Sequence, residues 1–206
     1  MNKTIKVITI LCLLFGLKLF SSCIRCNCED EFAYFRYSEA TISNIDNNGT
    51  YAKVTTSDTL NNSAVAFLVK LNVHDTLYSQ TKPNFSFITN ANAWQCRCPY
   101  YLIPQQKIEK VEIITLLDIN SEIKANTIIT DKFVWRDNEF FNNNLYKDIN
   151  ILADELNKKY FEYEIKQQFA LFLKTKVENK SARFNINIYL SDNEVLSVNT
   201  NLLTIR

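Results

Sequence analysis

The sequence predicts a mainly β protein, an antiparallel sandwich with one helix and an N-terminal signal helix. Segments rich in β-branched and aromatic residues alternate apolar and polar positions, as strands with one buried face do. Asn, Asp, Ser and Pro separate these segments and are typical turn residues. The segments lack the regular strand–helix alternation that a parallel sheet requires. We therefore expect about eight to ten short strands in packed antiparallel sheets.

Residues 1–22 have the three parts of an export signal. Lys3 and Lys6 provide a positively charged start, and an apolar run follows over residues 7–17. A pair of serines at 21–22 supplies the small residues that a signal peptidase requires. Because the apolar run is much shorter than the ~20 residues that cross a bilayer, a removable signal is favoured over a permanent transmembrane helix.

Cys23 directly follows the two serines. The segment Leu19–Cys23 resembles the lipobox of bacterial lipoproteins, an aliphatic residue and two small residues followed by cysteine, with Phe20 where leucine is usual. The resemblance implies cleavage before Cys23, a thioether from its thiol to diacylglycerol, and acylation of its amine, for example by palmitate. Several acyl chains are needed because one chain binds a membrane only marginally. Simple secretion and an uncleaved anchor are the alternatives.

The mature chain, residues 23–206, is expected to be a single membrane-proximal domain. Only two residues separate Cys23 from Cys26, so no long linker precedes the next cysteine. The acidic run Glu29-Asp30-Glu31 resembles surface-export signals of Bacteroidota lipoproteins, and a solvated start of the fold is the simpler interpretation.

The composition excludes several classes of chemistry. The mature chain has nearly equal numbers of basic and acidic residues, unlike a nucleic-acid-binding protein. Gly49 is its only glycine, whereas phosphate-binding loops and the serine-hydrolase elbow need several. His74 is its only histidine, which is too few for a histidine metal cluster. We expect no cofactor, no metal ion and no nucleic-acid partner.

Four cysteines form two Cys-x-Cys pairs, Cys26/Cys28 and Cys96/Cys98. An exported chain matures in an oxidising compartment, which favours disulfides. Two adjacent strands could form two bridges, each closing a loop of roughly 70 residues and worth about 4 kcal/mol. Antiparallel strands would join Cys26 to Cys98 and Cys28 to Cys96, and parallel strands would give the other combination. Bridges within one pair are strained, and a zinc site is the sharper alternative, although zinc sites usually have wider spacing.

Strands are predicted through the first half of the mature chain. Val65, Phe67, Val69 and Leu71 alternate with other residues over 64–73 and form one core face. The other predicted strands cover residues 32–37, 40–45, 50–56 and 85–89, with turns at 46–49 and 61–63. The pair Tyr100-Tyr101 lies between two prolines and is predicted as a loop or an edge segment.

The second half contains the predicted helix. Residues 108–119 are apolar and β-branched, which suits a central strand buried on both faces. Apolar residues recur every three or four positions over about 145–160, the pattern of one helix face, with Asn143 or Asn144 as the cap. Alternation resumes over 169–173. A hairpin follows, with one strand at 184–190, a turn at 191–193 and a returning strand at 194–205.

Two C-terminal segments carry a family resemblance. One consists of residues 110–120 with 130–133, and the other of residues 169–174 with 184–190 and the returning strand. Both look like a group of uncharacterised Bacteroidota lipoproteins with an immunoglobulin-like β-sandwich. The resemblance implies that fold and an envelope location, and it implies no activity and no catalytic residue.

Three sets of residues are candidate functional sites. Thr59 and Thr76 lie in Asp-Thr-Leu tripeptides, the acceptor pattern for O-glycans on exported Bacteroidota proteins, at expected loop or strand-end positions. Aromatic residues could form a sugar or protein platform, although aromatic residues more often serve as core or loop anchors. They are Trp94, Tyr100, Tyr101, Trp135, Phe140 and Phe141. Asp and Glu are abundant, and their spacing singles out no catalytic pair.

These observations favour a lipid-anchored, non-catalytic lipoprotein of the cell envelope, on the periplasmic or surface face of the outer membrane. It would bind a protein or a glycan, or have a structural role. A hydrolase of unfamiliar type that uses scattered carboxylates is the alternative. A cleft gathering two or more carboxylates would favour the hydrolase, whereas a convex sandwich with an aromatic patch would favour binding.

Overall fold

The computed structural model describes residues 31–49, 52–78, 100–137, 145–158, 161–162, 165 and 167–206. Within them lie fifteen strands, two short 3₁₀ helices and one α-helix. The strands are β1 (Glu31–Asp46), β2 (Lys53–Thr55), β3 (Thr59–Leu60), β4 (Val65–Tyr78), β5 (Tyr100–Pro104), β6 (Ile108–Thr115), β7 (Thr127–Ile128), β8 (Phe133–Asp137), β9 (Lys147–Asp148), β10 (Phe161–Glu162), β11 (Gln167–Leu173), β12 (Ser181–Ala182), β13 (Phe184–Leu190), β14 (Val195–Asn199) and β15 (Leu203–Ile205). The helix is α1 (Leu152–Asn157), and the 3₁₀ helices are Thr130–Lys132 and Ile149–Ile151.

The strands form three sheets. The large sheet has the order β10-β5-β1-β4-β11-β8-β9, with β2 paired to β1 as its eighth strand. The other sheets are β14-β13-β6-β7 and β12-β15-β3. The prediction of a mainly β, antiparallel fold with one helix is confirmed, although β1 with β5 and β15 with β3 pair in parallel. The arrangement is consistent with a β-sandwich, and the immunoglobulin-like topology stays a prediction.

Several predictions fall outside the described residues. They are the signal over 1–22, the lipidation site Cys23, the four cysteines Cys26, Cys28, Cys96 and Cys98, the strand at 85–89, and the cap at Asn143 or Asn144.

β1 is longer than the sequence predicts. The two short strands expected at 32–37 and 40–45 form one strand of 16 residues. Its pairing with β4 shifts register between Tyr34 and Arg36 and again between Tyr37 and Glu39. Such bulges add a residue without ending a strand, so the polar residues that interrupt the alternation do not end β1.

β4 confirms the predicted core face and extends it. Val65, Phe67, Val69 and Leu71 are all at most 2% exposed. The strand continues past the predicted end at Val73 to Tyr78, because β1 offers it pairing partners as far as Ala33.

β6 is shorter and less covered than predicted. It ends at Thr115 instead of residue 119, and its early residues Glu109 and Lys110 are exposed. β7 pairs only with Ile114 and Thr115, so the first part of β6 has a partner, β13, on one side. Burial on both faces is therefore confined to its second half.

The predicted helix at 145–160 is shorter and begins later. Lys147–Asp148 form β9 against β8, and Leu145 is 73% exposed. Asp148 has extended backbone angles, and its carboxylate accepts a hydrogen bond from the amide of Asn150, which starts the helical turns there. Leu152 and Leu156 are buried, so the apolar face is correct within α1.

The C-terminal hairpin is confirmed, but its returning strand is divided. β13 and β14 pair antiparallel, and Asn193 in their turn has φ 67°, which Asn tolerates well. The chain then leaves this sheet, and β15 pairs with β12 and β3. Thr200 lies at the break, buried, and its hydroxyl accepts a hydrogen bond from the amide of Phe184 at 3.0 Å.

Three phenylalanines connect the two larger sheets in the core. Phe67 of β4 and Phe133 of β8 lie on the large sheet, and Phe184 of β13 lies on the four-stranded sheet. The ring of Phe184 is 5.4 Å from that of Phe67 and 6.0 Å from that of Phe133. All three are at most 1% exposed, so these contacts hold the sheets face to face.

A buried glutamine adds a polar connection between the sheets. Gln106 is 2% exposed and follows β5. Its Oε1 accepts a hydrogen bond from the amide of Tyr37 at 2.8 Å, and its Nε2 donates to Asp192 and Glu194 at 2.7 and 2.9 Å. One side chain thus joins β1 to the turn of the β13–β14 hairpin.

We expect Phe184→Ala to destabilise the fold strongly, because it removes the ring that touches both sheets. Truncating a buried Phe costs about 3–5 kcal/mol, to be measured as the free energy of unfolding in urea. Val195→Ala, at a 43% exposed position on β14, is the control and should change stability by less than about 0.5 kcal/mol. Equal losses in the two variants would contradict the role given to Phe184.

Candidate functional site

A groove of about 400 Å³ lies beside β6 and α1. We call it the helix groove. Its polar lining includes Glu109, Lys110, Glu112, Asp131 and Asn150, and Val111 and Ile149 are among its apolar residues. Here α1 packs against β6, and the Asn157 side chain hydrogen-bonds the backbone of Ile108, in the part of β6 that lacks a β7 partner.

Glu112 is the most buried charged residue of the helix groove, at 7% exposed. Lys110, two residues earlier on the same strand, bonds its carboxylate, and the Tyr189 hydroxyl donates to it at 3.2 Å. The Lys110 Nζ also lies 5.3 Å from the Tyr189 ring centroid. The hydrogen bonds from Lys110 and Tyr189 hold the pKa of Glu112 below its ordinary value, against the opposing effect of burial.

Asp131 supplies a second charge to this groove. Its carboxylate pairs with Lys132 at 2.7 Å, and that bond lowers the pKa of Asp131. A hydrolase acid needs a raised pKa so that it still carries a proton near neutral pH. Glu112 and Asp131 are shifted in the opposite direction, so they are ionised near neutral pH and suit hydrogen-bond donors or cations.

A second groove, of about 480 Å³, lies between β1, the segment at 55–58 and β14. We call it the amide groove because Asn44, Asn199 and Asn201 line it, together with threonines, a serine and the carboxylates of Glu39 and Asp58. Asp58 accepts hydrogen bonds from the amide nitrogens of Asn44 and Asn201 at 3.0 and 3.2 Å. Its surface offers amides, hydroxyls and a carboxylate, which can hydrogen-bond a polar ligand.

The two predicted glycan acceptors occupy different settings. Thr59 begins β3 beside the amide groove and is partly exposed. Its backbone amide donates a hydrogen bond to the Ser57 hydroxyl at 3.1 Å, and Thr59 is the strand partner of Thr204. Thr76 lies inside β4 and not in the expected loop or at a strand end, because that strand runs on to Tyr78. Glycosylation of both threonines stays a prediction.

The predicted aromatic platform is not assembled as expected. Trp135 is 1% exposed, and its Nε1–H donates to the carbonyl of Asp148 at 3.0 Å. It is therefore a core residue. Trp94, Phe140 and Phe141 lie outside the described residues. Tyr100 and Tyr101 start β5, which lies between β1 and β10 and is not the edge strand of the described sheet.

Tyr101 has aromatic neighbours that the sequence-based prediction missed. It stacks on Phe32 of β1, with ring centroids 5.8 Å apart. Phe32 and Tyr34 are 42% and 44% exposed, whereas Ala33 and Phe35 between and after them are fully buried. The start of β1 carries apolar residues on both faces. The alternation of apolar and polar residues that normally identifies an outward face is therefore absent there.

The described residues contain neither a candidate metal cluster nor a candidate membrane-spanning helix. The described part of the chain holds no group of three or more His, Cys, Asp and Glu that could bind a metal ion. None of the helices within it has the length and apolar character needed to cross a membrane.

Comparisons of the chain with protein-family models, with curated proteins and with solved structures find no significant match.

We expect the contribution of Glu112 to stability to depend on pH. Because its folded-state pKa is lowered from 4.5, its ionised form stabilises the fold above that pH, and this stabilisation is lost as the pH falls through the lowered value. Glu112→Gln should reduce the free energy of unfolding by about 1 kcal/mol near neutral pH and by progressively less in acid.

Urea unfolding at a series of pH values measures this difference. Glu109→Gln is the matched control, because Glu109 is exposed on the same strand. A Glu112→Gln loss that stays constant across the acid range would contradict the ionised pair with Lys110.

Proposed function

We propose that the protein is a lipid-anchored lipoprotein of the cell envelope that binds a partner and is not an enzyme. The observation that carries the proposal is the N-terminal segment, a charged start and an apolar run that end in two serines and Cys23. The first described strand begins at Glu31, eight residues after Cys23. At about 3.5 Å per residue, the fold starts within ~28 Å of the acylated sulfur.

The surface chemistry supports binding as the role of the domain. The two grooves are lined by amides, hydroxyls and carboxylates, and two groove carboxylates have lowered pKa values. Groups of this kind recognise a hydroxyl-rich glycan or a polar segment of a protein through hydrogen bonds. A protein or glycan partner in the envelope is therefore the proposed ligand, with the outer membrane as the proposed location.

A hydrolase is the second candidate, and one observation favours it. Glu109, Glu112 and Asp131 line the same helix groove, and paired carboxylates perform glycoside hydrolysis. The lowered pKa of Glu112 and of Asp131 argues against either as the proton donor. Release of reducing sugar from envelope glycans that disappears in Glu109→Gln would favour the hydrolase.

Disulfides between the Cys-x-Cys pairs are part of this proposal, and the strands that follow bear on their connectivity. β1 and β5 are parallel, with Glu31 and Tyr100 as their first Cα partners. Cys26 and Cys28 precede Glu31 by five and three residues, and Cys96 and Cys98 precede Tyr100 by four and two. The two pairs therefore precede neighbouring parallel strands by similar numbers of residues.

Continuing the parallel β1–β5 register toward the N-terminus favours Cys26–Cys96 and Cys28–Cys98. In each of these pairs the two cysteines differ by one residue in their distance from Glu31 and Tyr100. Joining Cys26 to Cys98 instead would need an offset of three residues, or about 10 Å of chain. Bridged cysteines have Cα atoms only about 4.4–6.8 Å apart. Of the two combinations between the pairs, the parallel one is proposed.

Cys23→Ala should release the protein from the membrane fraction of the producing cell, because no thioether can form. Fractionation with detection by antibody measures this, and the intact mass of the parent protein should show the added acyl chains. Cys12→Ala is the matched control, since Cys12 lies within the signal and should leave membrane partition unchanged. Continued membrane partition of Cys23→Ala would count against lipidation.

Peptide mapping without reduction should find Cys26 joined to Cys96 and Cys28 joined to Cys98. Trypsin cuts after Arg97, between the second pair, and Asn27→Lys introduces a cut between the first pair. Thiol counting in the same sample should find no free thiol among these four. Cross-linked peptides joining Cys26 to Cys98 would overturn the connectivity, and four reactive thiols would overturn the disulfides.

A further inference from the structure

The outer face of the large sheet carries an apolar surface where β1 and β5 begin. We call it the aromatic patch, and it consists of Phe32, Tyr34, Tyr101 and Ile103. Phe32 and Tyr34 are more than 40% exposed, and Tyr101 and Ile103 are partly exposed. Such contiguous exposed apolar residues commonly mark an interaction surface.

The strand register makes the patch a rigid unit. Phe32 is the Cα partner of Tyr101, and Tyr34 is the partner of Ile103. Cross-strand partners share a face, so all four side chains point away from the core. The core side of the same strands holds Ala33, which is fully buried, so the patch cannot turn inward without breaking the β1 alternation.

The patch lies at the end of β1 nearest the proposed anchor. Phe32 is nine residues after Cys23, which places Phe32 within about 32 Å of the acylated sulfur. β1 then runs on for fourteen more residues to Asp46, which carries the opposite end of the strand up to roughly 45 Å further. The chain therefore ties an acylated Cys23 directly to this end of the sheet, whereas the other end lies a further strand length away.

We propose that the aromatic patch rests in the headgroup region of the leaflet that holds the acyl chains of Cys23. The inference depends on the proposed lipidation of Cys23. Tyr rings have an apolar body and a polar hydroxyl, which suits the membrane–water interface, and Phe32 supplies an apolar ring beside them. The preceding residues Glu29, Asp30 and Glu31 are acidic, so the surface fits zwitterionic headgroups better than anionic ones.

The size of the patch favours a membrane over a second copy of the chain. Four side chains are far fewer than the ~20–30 residues that each partner contributes to a stable protein interface. A lipid anchor removes the need for intrinsic affinity, because it holds the patch at a high effective concentration near the bilayer. Weak contacts are then enough to orient the domain.

Quenching by brominated lipid tests the placement. The lipidated full chain is reconstituted into phosphatidylcholine vesicles with or without bromine on the acyl chains, and vesicles are isolated by flotation. Phe32→Trp reports the patch. Val54→Trp is the matched control, because Val54 is 51% exposed and lies on β2, paired with Ile45 near the far end of β1. The unsubstituted chain provides the background from the two native tryptophans.

We expect the added emission of Phe32→Trp to shift to shorter wavelength on vesicles and to lose at least half its intensity with brominated lipid, while Val54→Trp changes little. Floating protein with unquenched Phe32→Trp would overturn the patch placement and leave the anchor intact. A shift without quenching that grows with protein density would indicate a second copy and would also overturn it. Equal quenching at both positions would overturn the proposed orientation of the domain. Failure to float would overturn the anchor and the patch together.

Discussion

The antiparallel pairing of β1 with β4 is the constraint on which the rest of the structure depends. The pairing extends from Ala33 to Asp46 of β1, with β5 beside β1 and β11 beside β4. Two register shifts allow β1 to continue past polar positions, and because of them one strand contributes both to the aromatic patch and to the amide groove. A break in this pairing would separate the two surfaces.

The two larger sheets are held together by apolar and polar contacts with different roles. The Phe67–Phe133–Phe184 cluster supplies buried area, which is large but non-directional. Gln106 supplies direction, because its bonds to Tyr37 and to the β13–β14 turn fit one relative placement of the sheets. Hydrogen bonding from Gln106 also lowers the pKa of Asp192, so this turn remains charged and solvated above the connection.

The proposed roles assign different surfaces to different partners. The aromatic patch lies on the end of β1 nearest the proposed anchor and suits lipid, whereas the two grooves are polar and suit a ligand in the surrounding medium. A domain oriented by the membrane would present its grooves in a fixed direction. Such preorganisation favours ligand binding more than free rotation on a tether does. The helix groove gathers carboxylates, and the carboxylate of Glu112 is held in place by its hydrogen bonds with Lys110 and Tyr189.

The sequence alone determined the features that depend on neighbouring residues. Alternation identified the buried face of β4 and the final hairpin, and a run of charge, apolar residues and serines before Cys23 predicted the anchor. Tertiary structure decided the features that depend on pairing between distant segments. Lys147 joins β8 instead of beginning the helix, and Phe32 meets Tyr101 across 69 positions of sequence because β1 and β5 are parallel. A local period records which face of a segment is apolar, but it does not record which strand will lie beside it.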